Sequence, residues 1–191
     1  EEMRVTGLAI GPGLYRKPDT RKAVIKIVEA LDLPMAVDAD AIRSLSVAKN
    51  LLKNKTSVIL PHADEFREIT GISVVNVTQM ENRTNVVNDQ AKKLGTIILL
   101  KGYVDTISDG NRVVLNKTGS PMMTKGGFGD TLTGICAALI SRRINKIDAF
   151  TSACAAAYIN GRAGELATKK YGIGVLPMDL IEEIPNVIKD G

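Results

Sequence analysis

Short apolar runs alternate with amphipathic stretches through the first 100 residues of this chain. The apolar runs, which predict buried strands, are Val5–Ile10, Pro34–Val37, Ser57–Leu60 and Thr96–Leu100. The stretches between and beside them, with apolar residues at helical spacing, are Pro18–Leu31, Ala41–Lys53, Asp64–Thr70 and Val77–Lys93. This alternation predicts an α/β layered fold, a mainly parallel sheet flanked by helices.

The pattern changes in the second half of the chain. Val104–Ser108 and Arg112–Leu115 flank Asp109-Gly110-Asn111, a sequence typical of a β-hairpin turn. Beyond it, the spacing predicts a C-terminal run of helices over Asp130–Ser141, Ile147–Lys170 and Pro177–Ile188. Because no repeat or linker interrupts the chain, residues 1–191 are predicted to form a single domain.

Charge and cysteine usage exclude several classes of protein. The net charge is +4, but no Lys or Arg run exceeds two residues, which favours an anionic small molecule over nucleic acid as the partner. No apolar stretch reaches membrane-spanning length, and no signal peptide is visible. Cys136 and Cys154 lie in apolar helical stretches, so we expect reduced core thiols in a cytoplasmic protein.

The segment Thr124–Gly134 carries the strongest chemical signal. Gly126, Gly127 and Gly129 lie directly before a predicted helix. Such a turn presents backbone N–H groups beside the positive end of the helix dipole, which makes it an anion site. The spacing matches neither a P-loop nor a Rossmann fingerprint.

Asp130 stands at the end of this glycine turn and has two interpretations. It is either a general base that activates a hydroxyl for attack on a phosphoryl group, or the N-cap of the following helix. The three preceding glycines favour the base.

Four predicted strands end in segments that could meet a ligand, because parallel strands share one carboxyl edge. These segments are Gly11-Pro12-Gly13, Asp38-Ala39-Asp40, Pro61-His62-Ala63-Asp64-Glu65 and Lys101-Gly102. Each also has a structural interpretation: a simple turn for the first, and an exposed lysine for Lys101.

The acidic residues of these segments are open to more than one role. We interpret Asp40 as the cap of the next helix and leave Asp38 open. Glu65 could hold hydrated Mg²⁺, whereas Asp64 fits a favourable charge in the first turn of a helix. His62, the single histidine, is either structural or a ligand contact.

On these segments the chain resembles the ADP/ATP-dependent NAD(P)H-hydrate dehydratase family, a branch of the ribokinase-like superfamily often labelled carbohydrate kinase. The resemblance also includes Asn116-Lys117-Thr118-Gly119, Gly126-Gly127-Phe128-Gly129-Asp130 and Leu132-Thr133-Gly134. It implies dehydration of NADHX or NADPHX, driven by ADP or ATP with Mg²⁺.

The resemblance also implies roles for individual residues. Asp130 would be catalytic and would contact the substrate together with Gly13 and His62. The anion hole and nucleotide site would comprise Gly126, Gly127, Gly129, Lys101 and Gly102, and Glu65 would act on Mg²⁺ through water. It further implies a homo-oligomer.

Several features depart from the family. Phe128 replaces a small residue, and Asp105 stands where many members have Thr. The family's HPGE appears as His62-Ala63-Asp64-Glu65, which keeps both ends but loses the Gly. Further N-terminal elements and a fused epimerase domain, present in many relatives, are expected outside this chain. Alternatives are a small-molecule kinase of the same superfamily, for a carbohydrate, thiazole or pyrimidine precursor, and a nucleotide-sensing module. His62, where sugar kinases tend to carry Asn, favours the dehydratase.

Overall fold

The computed structural model describes residues 5–74, 80–142 and 147–189. Six strands form one sheet in chain order: β1 (Leu8–Ile10), β2 (Met35–Val37), β3 (Ser57–Ile59), β4 (Ile97–Leu100), β5 (Asp105–Ser108) and β6 (Val113–Asn116). The first four strands are parallel, and β5 and β6 add to the edge as an antiparallel hairpin. The predicted α/β fold and hairpin are therefore confirmed.

The described ranges contain seven α-helices: α1 (Pro18–Ala30), α2 (Ala39–Leu45), α3 (Ala63–Thr70), α4 (Met80–Leu94), α5 (Phe128–Ile140), α6 (Ala149–Tyr171) and α7 (Pro177–Lys189). Short 3-10 turns occupy Lys49–Leu52, Pro121–Met123 and Gly172–Gly174. The predicted start of the fourth helix, Val77–Gln79, lies outside the described residues. No helix in the described ranges is long and apolar enough to cross a membrane.

Helices cover both faces of the sheet, and the strands divide their side chains between the two layers. Met35 and Val37 of β2 pack into the core under α1–α4, whereas Ala36 between them packs under α5 and α6. Ile98 and Leu99 of β4 divide in the same way. Because both faces are buried, the strands are apolar throughout rather than alternating with polar residues.

The carboxyl ends of the parallel strands lie in register. Ile10 pairs with Val37, and Val37 pairs with Ile59. At the next position, the Asp38 N–H donates to the Ile10 carbonyl at 3.0 Å. The structure thus brings the residues that follow β1, β2 and β3 to one edge of the sheet.

Candidate active site

The helix α5 begins without a side-chain cap. Its N-cap residue is Gly127, whose φ of 98° is a left-handed conformation that favours glycine. A Cβ at this position would also lie 2.6 Å from Cγ of Pro177, so α7 closes over the turn. With no side chain to accept them, the first N–H groups of α5 are available to an anion.

Asp130 is the third residue of α5, and its side chain is exposed. The interpretation of Asp130 as the N-cap is wrong, because α5 starts two residues earlier than the spacing predicted and Gly127 takes that position. Asp130 lies at the edge of a cavity of about 690 Å³ between α5, α6 and α7, which we call the aliphatic groove. The role of Asp130 as a base stays a prediction.

Asp38 joins the sheet edge to α5. Its carboxylate is almost fully buried, 1% exposed, and accepts from Lys101 Nζ at 2.6 Å and from the Thr133 hydroxyl at 2.8 Å. It also accepts from the N–H of Ala39 at 2.7 Å, as the N-cap of α2. This carboxylate therefore holds two elements together at the end of β2.

The prediction that Asp40 caps α2 is wrong, because Asp38 occupies the N-cap position. Asp40 lies one residue inside the helix and accepts from the Tyr15 N–H at 3.1 Å, with Arg16 3.5 Å away. Asp40 thus fixes the turn that follows β1. The sequence could not separate the two acids, because both precede the same apolar stretch.

Lys101 is neither free nor fully exposed. Its side chain is 21% exposed and paired with Asp38, so the interpretation as an exposed lysine is wrong. Its Nζ lies 3.6 Å from where a Cβ on Gly129 would be, directly beside the first turn of α5. The structure therefore brings Lys101 and Gly129 together, as the predicted nucleotide site requires.

His62 is the N-cap of α3, in a reciprocal capping box with Glu65. Its Nδ1 accepts from the N–H groups of Asp64 and Glu65, and the Glu65 carboxylate accepts from the His62 N–H at 2.9 Å. The structural role of His62 is therefore established. The imidazole is nevertheless 46% exposed, so its contact with a ligand stays a prediction.

Within the described ranges, no group of three or more His, Cys, Asp or Glu side chains could hold a metal ion. The Glu65 side chain is 5% exposed, with Oε1 3.1 Å from Nε2 of His62 and Oε2 bonded to the His62 N–H. The described residues alone thus provide no metal cage. Mg²⁺ bound mainly by phosphate oxygens and water would not need one.

A second cavity of about 690 Å³, the loop–helix cavity, opens beside Lys101 and Gly129. It is lined by Lys101–Asp105, Lys117–Pro121, Met123, Thr124, Phe128, Gly129, Leu132, Ala157, Asn160 and Gly161. Its volume is within the usual range for small-molecule sites. The cavity contains Lys101, Gly102 and Gly129 of the predicted nucleotide site, but the Asp130 side of α5 faces the aliphatic groove instead.

Asp105 lies on the wall of the loop–helix cavity. Burial is the main influence on its carboxyl and raises its pKa above the usual value. Hydrogen bonds from the Gly102 N–H and from Asn116 Nδ2, each 3.0 Å, act in the opposite direction. Asp105 therefore shapes the turn after β4 as well as lining the cavity.

Phe128 does not fill the anion site. Its side chain is 3% exposed and packs with Ala163, Ala167, Val175 and Leu180 between α6 and α7. The ring is therefore part of the C-terminal core.

Sequence reasoning missed two residues beside the anion site, Thr133 and Asn160. The sequence indicates Thr133 only through the resemblance, whereas in the structure its hydroxyl donates to the Asp38 carboxylate at 2.8 Å. Asn160 lines the loop–helix cavity and accepts from the Thr131 hydroxyl at 2.8 Å. A polar residue in the Ala- and Gly-rich stretch of α6 was the available signal for Asn160.

The sheet order, the layers and the uncapped glycine turn together define a ribokinase-like α/β fold. A model of the NAD(P)H-hydrate dehydratase family matches residues 1–186, and the chain belongs to this family. The chain is 40% identical over 188 residues to the bifunctional NAD(P)H-hydrate repair enzyme of Pyrobaculum aerophilum. It is 39% identical over 187 residues to the ADP-dependent (S)-NAD(P)H-hydrate dehydratase of Cenarchaeum symbiosum.

A solved structure shows the same fold. The ADP/ATP-dependent NAD(P)H-hydrate dehydratase of Bacillus subtilis, co-crystallised with ATP and Mg²⁺, is 29% identical with a TM-score of 0.76, covering 95% of this chain and 63% of its own. The match covers 97% of this chain and 36% of the Pyrobaculum protein, and 96% of this chain and 63% of the Cenarchaeum protein. The chain thus spans less than two thirds of these relatives.

Proposed function

We propose that this protein restores NAD(P)H from its hydrate, NADHX or NADPHX, with ADP as the phosphoryl donor. The observation that carries the proposal is the exposed Asp130 carboxylate in the first turn of the uncapped helix α5. A carboxylate at an anion-binding helix end calls for a functional explanation. Proton abstraction from an attacking hydroxyl is such a function. The relatives named as ADP-dependent dehydratases support the choice of reaction and donor.

The reaction would proceed in two steps. Asp130 takes the proton of the hydrate hydroxyl, whose oxygen attacks the terminal phosphorus of ADP while the bond to the bridging oxygen breaks and AMP leaves. The ring nitrogen lone pair then expels inorganic phosphate, and loss of a proton from the adjacent ring carbon restores the double bond. The net change converts hydrate and ADP into NAD(P)H, AMP and phosphate.

The phosphate charge would be met chiefly by the backbone. The Gly126-Gly127 turn and the N–H groups at Gly129 lie at the positive end of α5. Lys101 contributes less than a free cation, because Asp38 at 2.6 Å offsets its charge. Lys101 and Gly102 would instead form part of the surface that contacts the nucleotide.

The hydrated nicotinamide would approach from the sheet edge, where Gly13 and the half-exposed ring of His62 are accessible. Mg²⁺ would neutralise the nucleotide phosphates, and Glu65 would reach it only through water. We extend the proposal to a homo-oligomer in the cytoplasm and to an epimerase domain in the whole protein, as in the bifunctional relatives.

The test is recovery of NADH absorbance when the protein is incubated with NADHX and ADP. We expect recovery together with one AMP and one phosphate per NADH formed. ATP in place of ADP tests the choice of donor. No recovery with either nucleotide would rule out the dehydratase.

A small-molecule kinase of the same superfamily is the competing function, since it needs the same anion site and the same base. It would accumulate a stable phosphorylated alcohol, whereas the dehydratase releases inorganic phosphate. Product analysis by phosphorus NMR separates the two.

A further inference from the structure

Lys125 directly precedes the glycine turn (Gly126-Gly127) and joins it to the segment between α6 and α7. Its ammonium donates to the Val175 carbonyl at 3.1 Å and also to the Ile173 carbonyl. Both acceptors lie in residues 172–176, which we call the α6–α7 turn. One side chain therefore connects backbone segments that are 48 and 50 positions apart in the chain.

The two segments also meet through apolar contacts. The Phe128 ring packs with Val175 in the C-terminal core. A Cβ on Gly127 would lie 2.6 Å from Cγ of Pro177, the first residue of α7. The glycine turn is thus formed against the α6–α7 turn and the start of α7, and Lys125 supplies hydrogen bonds to this contact.

The glycine turn has few contacts of its own that would fix its conformation. Gly126 and Gly127 lack side chains, so their backbone has wide conformational freedom. A Cβ on Gly126 would meet no heavy atom within 4 Å, so this residue is in open space. The hydrogen bonds of Lys125 therefore restrain the chain at the residue where the freedom of the two glycines begins.

The helix α5 is held in place by other contacts. Thr133 donates to the buried Asp38 carboxylate at 2.8 Å, and Leu132 and Cys136 pack in the core shared with α6. None of these contacts involves Lys125. Loss of the Lys125 hydrogen bonds should therefore loosen the glycine turn and leave Asp130, within α5, in its position.

Lys125 is placed to act through the backbone and not as a ligand contact. Its side chain lines neither the loop–helix cavity nor the aliphatic groove as the structure describes them. Two of the three N–H donors of its ammonium are used by the α6–α7 turn. Its effect on a bound nucleotide would therefore be transmitted by Gly126 and Gly127.

We propose that Lys125 is a positioning residue of the active site, which holds Gly126 and Gly127 in the conformation that receives the phosphates of ADP by bonding to the α6–α7 turn. The inference rests on the proposed function, in which the glycine turn binds the nucleotide. A turn that is already ordered spares the nucleotide the entropic cost of ordering it, and this raises the affinity.

The experiment compares Lys125→Met with the wild-type protein by isothermal titration calorimetry with ADP and by steady-state kinetics with NADHX. Methionine keeps most of the side-chain length but cannot donate a hydrogen bond. We expect the Kd for ADP to rise about tenfold or more, because the nucleotide must then order the turn. The kcat at saturating ADP should change by less than about threefold, since Asp130 stays in position.

Lys55→Met is the matched control. Lys55 Nζ donates to the Leu31 carbonyl at 2.8 Å, so it also joins two backbone segments, but these lie before β2 and β3 at the amino ends of the strands. This variant should keep the Kd for ADP within about twofold of the wild type. Lys125→Arg retains a cation and hydrogen-bond donors, so its Kd for ADP should stay within about threefold of the wild type. Urea denaturation verifies that each variant is folded.

The response to salt separates positioning from direct contact with a phosphate. A lysine that touched the phosphate would make ADP binding more sensitive to salt, and Lys125→Met would lose that sensitivity. We expect the Kd values of Lys125→Met and the wild type to rise in parallel between about 0.05 and 0.5 M NaCl.

Four outcomes would overturn the inference. In the first, Lys125→Met binds ADP as tightly as the wild type, which leaves the proposed function intact. In the second, Lys55→Met weakens ADP binding as much as Lys125→Met, which assigns the effect to general stability. In the third, Lys125→Met loses the salt response, which makes Lys125 a direct phosphate contact. In the fourth, the wild-type protein binds neither ADP nor ATP, which overturns the proposed function as well. A wild-type protein that binds ADP but leaves NADHX unchanged would overturn the dehydratase alone, since calorimetry still tests Lys125.

Discussion

Nζ of Lys101 lies 2.6 Å from Oδ1 of Asp38, a residue 63 positions earlier in the chain. The two residues follow β4 and β2, which are separated in the sheet by β3. Thr133 of α5 donates to the other oxygen of the same carboxylate at 2.8 Å. One buried acid therefore connects two strand ends to the helix that carries the anion site.

Replacement of Lys101 by Met should destabilise the fold strongly. It leaves the Asp38 carboxylate, 1% exposed, without its cation, and breaking a buried pair in this way costs about 3–5 kcal/mol. Urea denaturation followed by circular dichroism measures the change in the free energy of unfolding. A loss below about 0.5 kcal/mol would mean that water compensates Asp38 as well as Lys101 does.

The double variant with Asp38→Asn supplies the control for this prediction. Removing both charges should recover part of the loss, because the uncompensated charge and not the missing bond is the main cost. If the two losses simply add, the two residues are not coupled.

Gly127, the N-cap of α5, and Gly134 within α5 should respond to alanine in opposite directions. Gly127→Ala should destabilise by more than about 1 kcal/mol, because φ is 98° and the new Cβ would lie 2.6 Å from Pro177. Gly134→Ala should stabilise by about 0.5–1 kcal/mol, since the position is helical with open space around its Cβ. Thermal unfolding of the two variants measures both. Equal effects at the two positions would contradict the geometry of the turn.

Replacement of His62 by Asn separates its two roles. Asparagine is a good N-cap, so the free energy of unfolding should fall by less than about 1 kcal/mol. If the half-exposed imidazole also contacts the substrate, the KM for NADHX should rise while the Kd for ADP stays unchanged. Steady-state kinetics and calorimetry measure the two constants. His62→Ala, which removes the cap as well, is the control that should lose more stability than His62→Asn. An unchanged KM in His62→Asn would limit His62 to capping.

The fold could be predicted from sequence because its signals are local. The apolar runs, the helical spacing and the Asp109-Gly110-Asn111 turn each depend on residues close together in the chain. Their shared position at the strand ends followed from the general geometry of parallel sheets. The boundaries of α5 did not follow, because Gly127 starts this helix with no capping side chain to mark it.

The contacts of the site were less predictable, since they join distant segments. Nothing near Lys101 or Asp38 in the sequence shows that they pair across β3. Asp38 and Asp40 could not be ranked as caps, because that choice depends on which acid lies outside the helix. The position of Asn160 depends on which face of α6 packs against α5, and this is determined by tertiary packing alone.

The Cys136 thiol should make stability fall at alkaline pH. Burial raises its pKa to about 12, whereas the thiol of an unfolded chain titrates near pH 8.5. Above about pH 8.5 the unfolded state loses this proton while the folded state keeps it, so the free energy of unfolding drops by up to about 1.4 kcal/mol per pH unit. Urea denaturation at about pH 7.5 and about pH 10 measures this drop. Cys136→Ala lacks the thiol, so its stability deficit relative to wild type should shrink at the higher pH. A constant deficit would mean that the thiol does not titrate differently on unfolding.

Replacement of Asp130 by Asn should abolish dehydration and leave the fold intact. Asp130 is exposed and is not the N-cap, so its loss costs only the favourable interaction of a carboxylate with the first turn, about 0.3–1 kcal/mol. Asparagine keeps the shape but cannot accept the hydroxyl proton as a base, so kcat should fall by a factor of about 10² or more. ADP binding should be retained or tightened, because a negative charge near the phosphates has been removed. On one preparation, steady-state kinetics measures kcat, calorimetry measures the Kd for ADP, and urea denaturation measures the free energy of unfolding. If Asp130→Asn keeps its turnover but loses much stability, Asp130 has a structural role. The N-terminus of α5 would then bind an anion without supplying a general base.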